Sequence, residues 1–149
     1  MQSYPEGVNK YKNVEIRRNV VVDAYHVGTC GQNGTYRPSG IYTSQVDNLL
    51  FEGNIYDHNG WNENVATACA TMYNHNFYVN GNDMTLRDNL ITRGSSMAIK
   101  TVANAVGDVS RMTIDNNFMY DGEIGLSAGG NASGNYRYID VVIKNNVFS

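Results

Sequence analysis

A short asparagine-centred pattern recurs five times along this chain, as NVEIRRNVVVDA from Asn13, NLLFEGNIYDHN from Asn48, DMTLRDNLITRG from Asp83, RMTIDNNFMYDG from Arg111 and DVVIKNNVFS from Asp140. The central asparagines are Asn19, Asn54, Asn89, Asn117 and Asn146. Recurrence at intervals of roughly thirty residues marks a solenoid, in which each repeat is one coil and only stacking buries its apolar face.

Inside each copy, apolar and polar residues alternate. Val14, Leu49, Met84, Met112 and Val141 form one apolar column, and Ile16, Phe51, Leu86, Ile114 and Ile143 form another two positions on. Period two is the signature of a strand. Val20, Ile55, Leu90, Phe118 and Val147 follow the asparagines and are expected to continue the buried column past a bend, which puts the asparagines at a corner. Stacked there, they can hydrogen-bond to one another along the axis and offset the cost of burying an amide.

A second strand recurs between these segments, as GIYTS from Gly40, NFYVN from Asn76, AIKTV from Ala98 and GLSAG from Gly125, with Ile41, Phe77, Ile99 and Leu126 pointing inward. No segment keeps a helical period, and the leucine consensus of leucine-rich repeats is missing. The fold expected is therefore all-β: a right-handed parallel β-helix of about five coils with an internal asparagine ladder. The hand comes from the general rule for parallel crossovers. At 149 residues the chain is expected to form one domain over 1–149.

The pattern xVxIxxNxF followed by a GIY-type strand resembles the right-handed β-helix repeat of polysaccharide lyases, pectinase-type hydrolases and bacteriophage tailspikes. The resemblance runs from Asn13 to the last residue. It implies a fold, and it implies a glycan as ligand with either lytic or purely adhesive function. The last copy stops at VFS and no amphipathic capping helix precedes the first, so the solenoid is expected to be a portion of a longer one or to be covered by a partner such as a trimer mate.

Composition narrows the partners. A net charge of −3 and a pI near 5.5 supply no basic field for nucleic acid or an anionic membrane. No apolar run is long enough to span a bilayer. The polar start, MQSYPEGVNKYK, lacks the apolar centre of a secretory signal, so any export signal was removed or never present. By resemblance the protein is expected to be extracellular or virion-associated. Cys30 and Cys69 are read first as two buried small hydrophobes and second as a disulfide between neighbouring coils.

Function must sit on the outer face. Arg17, Glu52, Arg87, Asp115 and Lys144 form an outward column of alternating sign, a charge ladder that favours one register. Two other columns are candidates for ligand contact: Asp23, His58, Arg93 and Asp121 on one corner, and Tyr42, Tyr78, Lys100 and Ser127 on the second strand, with His75 just upstream. Tyrosine rings suit sugar faces, and Lys or Arg suits a uronate carboxylate.

The leading expectation is a polysaccharide-binding and polysaccharide-degrading protein, a β-eliminating lyase of a uronic-acid glycan. Lys100 or His75 would be the base, Arg93 would neutralise the carboxylate and Tyr78 would protonate the leaving oxygen. Tyr42, His58, Trp61, Asp121 and Glu123 would line the substrate path. A hydrolase using Asp121 and Glu123 is one alternative, and a non-catalytic, glycan-binding shaft is another. Glu63 and nearby asparagines offer oxygen ligands but match no calcium loop, so no cofactor is expected. The insertions YHVGTCGQNGTYRP and GWNENVATACATM are expected to wall the binding surface, and AGGNASGN from Ala128 to be a surface loop.

Overall fold

The computed structural model describes residues 11–30, 36–103, 108–129 and 136–149. The start MQSYPEGVNK, residues 31–35 of the first insertion and most of AGGNASGN lie outside the described residues.

Among the described residues, twelve strands wind into a parallel β-solenoid. They are β1 (Tyr11–Arg17), β2 (Val20–Val22), β3 (Ser39–Glu52), β4 (Ile55–Asp57), β5 (His75–Arg87), β6 (Leu90–Thr92), β7 (Met97–Thr101), β8 (Val109–Asp115), β9 (Phe118–Tyr120), β10 (Ile124–Ala128), β11 (Tyr138–Lys144) and β12 (Val147–Phe148). Every pairing is parallel. One sheet joins β1, β3, β5, β7 and β10, with β8 on β5 and β11 on β8, and a second runs β2, β4, β6, β9, β12. The five repeats close about four turns, one fewer than the sequence count of coils, because the fifth repeat supplies only β11 and β12.

The register is that of the repeat. Val14, Leu49, Met84, Met112 and Val141 stack, as do Ile16, Phe51, Leu86, Ile114 and Ile143. Ile41, Phe77, Ile99 and Leu126 stack on the second strands. The middle coils form the dry core, with Phe51, Phe77, Met84, Leu86, Ile99 and Ile114 fully buried.

Corners are built from left-handed residues. Asn13, Asn48, Asp83, Arg111 and Asp140 form one column of positive φ. Arg18, Gly53, Asp88, Asn116 and Asn145 form a second, and Asp23, His58, Arg93 and Asp121 a third. Asn and Asp dominate these columns because their short polar side chains tolerate the left-handed region best after glycine. At the bend inside β5, Gly81 takes φ 153°, and any Cβ there would collide with the Val46 carbonyl.

The ladder asparagines lie at successive separations of 35, 35, 28 and 29 residues. Each donates its side-chain amide to the Oδ1 of the next, at 3.2, 3.0, 2.8 and 3.0 Å. Each backbone amide donates to that same oxygen. The side-chain amides of Asn54, Asn89, Asn117 and Asn146 also reach back to carbonyls of the preceding coil, at Ile16, Phe51, Leu86 and Ile114.

Two expectations are corrected. Val20, Ile55, Leu90, Phe118 and Val147 face outward, between 37 and 64% exposed. The left-handed residue before each ladder asparagine turns the asparagine itself inward, so the alternation resumes with Val21, Tyr56, Ile91 and Met119 inside. The two cysteines are not free: Cys30 and Cys69 form a disulfide with Cα atoms 4.9 Å apart, and Cys69 is exposed. The two insertions leave adjacent coils on the same side, which brings these positions within bonding range.

Candidate functional site

The second-strand column is continuous. Tyr42 pairs with Tyr78, Tyr78 with Lys100 and Lys100 with Ser127, each on the next coil. The rings of Tyr42 and Tyr78 lie 5.1 Å apart, and the His75 ring sits 5.5 Å from that of Tyr78. Tyr42, Tyr78 and Lys100 are half-buried, and His75 is buried. His75, Tyr78 and Lys100 thus share one face, with Tyr42 beside them.

The Lys100 ammonium donates to the Ser127 hydroxyl at 3.0 Å and to the Gly129 carbonyl at 2.9 Å. Its pKa is lowered by burial. This setting differs from that of Arg17, Arg87, Arg93, Arg111, Arg137 and Lys144, each of which faces a carboxylate. Burial pushes the His75 imidazole down to about 4, with Lys100 and Arg37 adding to the effect. Its Nδ1 has no hydrogen-bond partner among the described residues. Burial also raises the Tyr78 phenol, which the neighbouring Tyr42 reinforces.

Sequence reading overlooked two contributors to this face. The Arg37 guanidinium lies over the Tyr73 ring, 4.8 Å from its centroid. Ser39 pairs with His75, so Arg37 and Tyr73 each precede equivalent strand positions on adjacent coils. That equivalence was present in the register of the GIYTS and NFYVN segments. Tyr138 lies close by: it donates to the Thr101 carbonyl at 2.7 Å and accepts from the Ala103 amide.

Arg93 does not join this group. It stands at the turn between β6 and β7, with Nε 2.7 Å from Asp57 Oδ1 and the other carboxylate oxygen bonded as well. This pairing raises the arginine's pKa and holds Asp57 below the usual carboxylate range. The charge that a substrate carboxylate would require is already engaged by Asp57.

His58 and Trp61 form a separate cluster at the same corner. His58 is 4% exposed, with Nδ1 2.6 Å from Asp23. Its Nε2 lies 2.6 Å from Glu63, within ion-pair range but out of line for a hydrogen bond. The Trp61 ring meets the imidazole edge-on at 5.0 Å and its Nε1 donates to the Arg93 carbonyl, so the indole covers the buried histidine. Asp121 and Glu123 are exposed at the last turn; the Asp121 amide donates to the Ser149 carbonyl and Glu123 borders an open pocket with Tyr120 and Phe148. Neither is beside Lys100 in the register, where Ser127 occupies that place.

The two insertions are fastened together. Besides the Cys30–Cys69 bond, the Gly28 amide donates to the Thr67 carbonyl at 2.7 Å and the Thr29 hydroxyl to the Cys69 carbonyl at 3.1 Å. Thr71 and Ser95 exchange hydrogen bonds that tie the second insertion to the next coil. Comparison with known proteins returns no match to any family model, curated protein or solved structure.

Proposed function

We propose that this protein binds an acidic polysaccharide along the Tyr42–Tyr78–Lys100–Ser127 column and cleaves it by β-elimination. The observation that carries the reading is the setting of Lys100: a half-buried amine held by neutral acceptors beside a stacked tyrosine pair. A sugar ring laid on the tyrosines brings its acid group to the only part of this column that carries a cation.

In the elimination, a base takes the proton beside the carboxylate, the C–H electrons form the new double bond, and the glycosidic oxygen leaves with a proton from an acid. Lys100 serves as the base in the molecules where it has lost its proton, a share that burial enlarges, and its two acceptors then leave the lone pair free. Tyr78 serves as the acid, since its raised pKa keeps the proton on oxygen until transfer. His75 is too deeply buried to reach substrate and shapes the face from behind.

A second reading is binding without cleavage, as on an adhesin or tailspike shaft. It is favoured by Arg93, the expected neutraliser, being committed to Asp57. Either function fits an extracellular or virion-associated protein, for which an exposed disulfide is suited. Sister-chain packing, as in a trimer, would cover the outward stripe of Val20, Ile55, Leu90, Phe118 and Val147.

Incubation with a panel of uronic-acid polymers tests the proposal, following ultraviolet absorbance of the unsaturated product beside a reducing-end assay. Absorbance and reducing ends rising together are expected. Reducing ends alone would move the reaction to hydrolysis; binding with neither signal would leave the shaft, and no binding would end the glycan reading.

A further inference from the structure

The outer side of the sheet β2, β4, β6, β9 and β12 carries an unbroken apolar row. Val20, Ile55, Leu90, Phe118 and Val147 stand in register on successive coils, 37 to 64% exposed. Val22 and Tyr120, both half exposed, widen the row at the next outward position. Asp57 is the one charged residue on these strands' outer side, and Arg93 neutralises it. Single apolar residues on a surface need no cause, but a contiguous row with polar rims marks a contact site. The Tyr42, Tyr78 and Lys100 column belongs to the other sheet, so this face does not depend on the glycan reading.

The two edges of the row carry opposite charges on the same coils. Arg18 and Asp88 are the charged residues of the corner column that enters the sheet; Asp23, Arg93 and Asp121 are those of the column that leaves it, where His58 is buried. If two copies meet face to face about a twofold axis parallel to the solenoid, their facing strands run in opposite directions. The entry edge of one then meets the exit edge of the other at the same level. Arg18 faces Asp23 of the second copy, Asp88 faces Arg93, uncharged Asn116 faces Asp121, and symmetry repeats each pair. Turning one copy end over end at full overlap instead sets Asp88 against Asp88 and Arg93 against Arg93. The groups have capacity to spare. Among the described residues nothing holds the Arg18 side chain, Asp23 is 57% exposed with only Oδ1 taken by His58, and Arg93 binds Asp57 through Nε and Nη2 alone.

We propose that this face pairs with the same face of a second copy of this chain, in a twofold dimer whose solenoid axes run parallel and whose coils lie level. Five stacked strands give a contact about 20 Å tall, with the facing sheets about 10 Å apart. This lies at the low end of stable interfaces, so the dimer should form at micromolar rather than nanomolar concentration. The apolar row supplies the affinity, while the ion pairs at its rims add little and fix orientation and level. Of the sister-chain arrangements that would cover the stripe, a threefold one presents a different face to each neighbour and does not bring these two edges together.

Sedimentation velocity of the full chain from about 1 to about 100 μM should show monomer giving way to dimer. Leu90→Glu, at the centre of the row, should abolish the dimer while melting stays cooperative, and Phe118→Ser serves if that variant does not fold. At low salt, Arg18→Glu and Asp23→Lys should each weaken self-association about tenfold, and mixing the two chains should restore it, because each then meets its opposite charge. No contact within one copy can supply that rescue. Val20→Cys treated with a short bismaleimide should link to its own kind, as should Val147→Cys. Linking only when these two variants are mixed means antiparallel axes and overturns the orientation, and failure of the mixed charge variants to associate overturns the level pairing. A chain that stays monomeric, a trimer, or a dimer untouched by Leu90→Glu and Phe118→Ser overturns the interface itself.

Discussion

Asn54 donates both its main-chain and its side-chain amide to one acceptor, the Oδ1 of Asn89, each at 3.0 Å. The same doubled contact repeats up the stack, so each inner ladder residue satisfies groups on two coils at once.

Replacing Asn89 by Ala strands two donors of Asn54 and the Phe51 carbonyl in the interior. A buried unsatisfied group costs about 1–3 kcal/mol, so the loss should reach about 3 kcal/mol or more. Asn19→Ala, on the exposed first coil, should cost under about 1 kcal/mol. Urea unfolding of the two variants reads the difference; equal destabilisation would deny the ladder its role.

The Cys30–Cys69 bond closes a chain separation of 39 residues. Chain-entropy arguments assign a crosslink of that span up to about 4 kcal/mol. The Cys30→Ser/Cys69→Ser protein should melt at a lower temperature under non-reducing conditions, and added dithiol should no longer change its melting.

Lys100 must lose its proton to act as a base. Burial lowers its pKa from 10.5, so the elimination rate should rise with pH and level off below pH 10.5. Affinity for the acidic glycan should move the opposite way, weakening as the ammonium is lost. Lys100→Ala should abolish cleavage while the circular dichroism of the fold is kept. A rate that is flat across this range, or a retained rate in the alanine variant, removes Lys100 from the chemistry.

His75 binds a proton at about pH 6.5 when unfolded but only near 4 when folded. The unfolded chain therefore holds more protons between those values, and stability falls as pH drops through that window, by up to about 3 kcal/mol. Below the folded pKa this contribution is fully lost. His75→Gln should flatten the slope between pH 6.5 and 4, leaving the losses from the carboxyls held low by their partners, Glu52, Asp57, Glu63, Asp83 and Asp108. Chemical unfolding at several pH values measures both slopes.

The fold was legible because register in a parallel stack is a matter of counting. Asn54 over Asn89 and Tyr78 over Lys100 follow directly from aligning the repeats. What was misjudged concerns features that alternation does not encode. Where the left-handed turn falls beside a corner residue decides every side chain after it, and carrying the apolar column straight on past the corner asparagines put Val20 in the core instead of Val21. The pairing of Arg93 was missed for a related reason: its partner Asp57 is 36 positions away, one step off the column in which the charges were compared. Arg37 escaped notice because it belongs to an insertion, where no repeat supplies a coordinate; only the pairing of Ser39 with His75 fixes where that insertion re-enters the stack.

The left-handed corners have a further consequence. Since each turn is made by one residue rather than by a loop of fixed length, the residues spent per turn can drop from 35 to 28 while the asparagines stay in contact. Surplus chain is extruded from the side of the stack while the asparagines beneath keep their contacts. A lineage built this way can trade its outer decoration, and with it the molecules it meets, without renegotiating its interior.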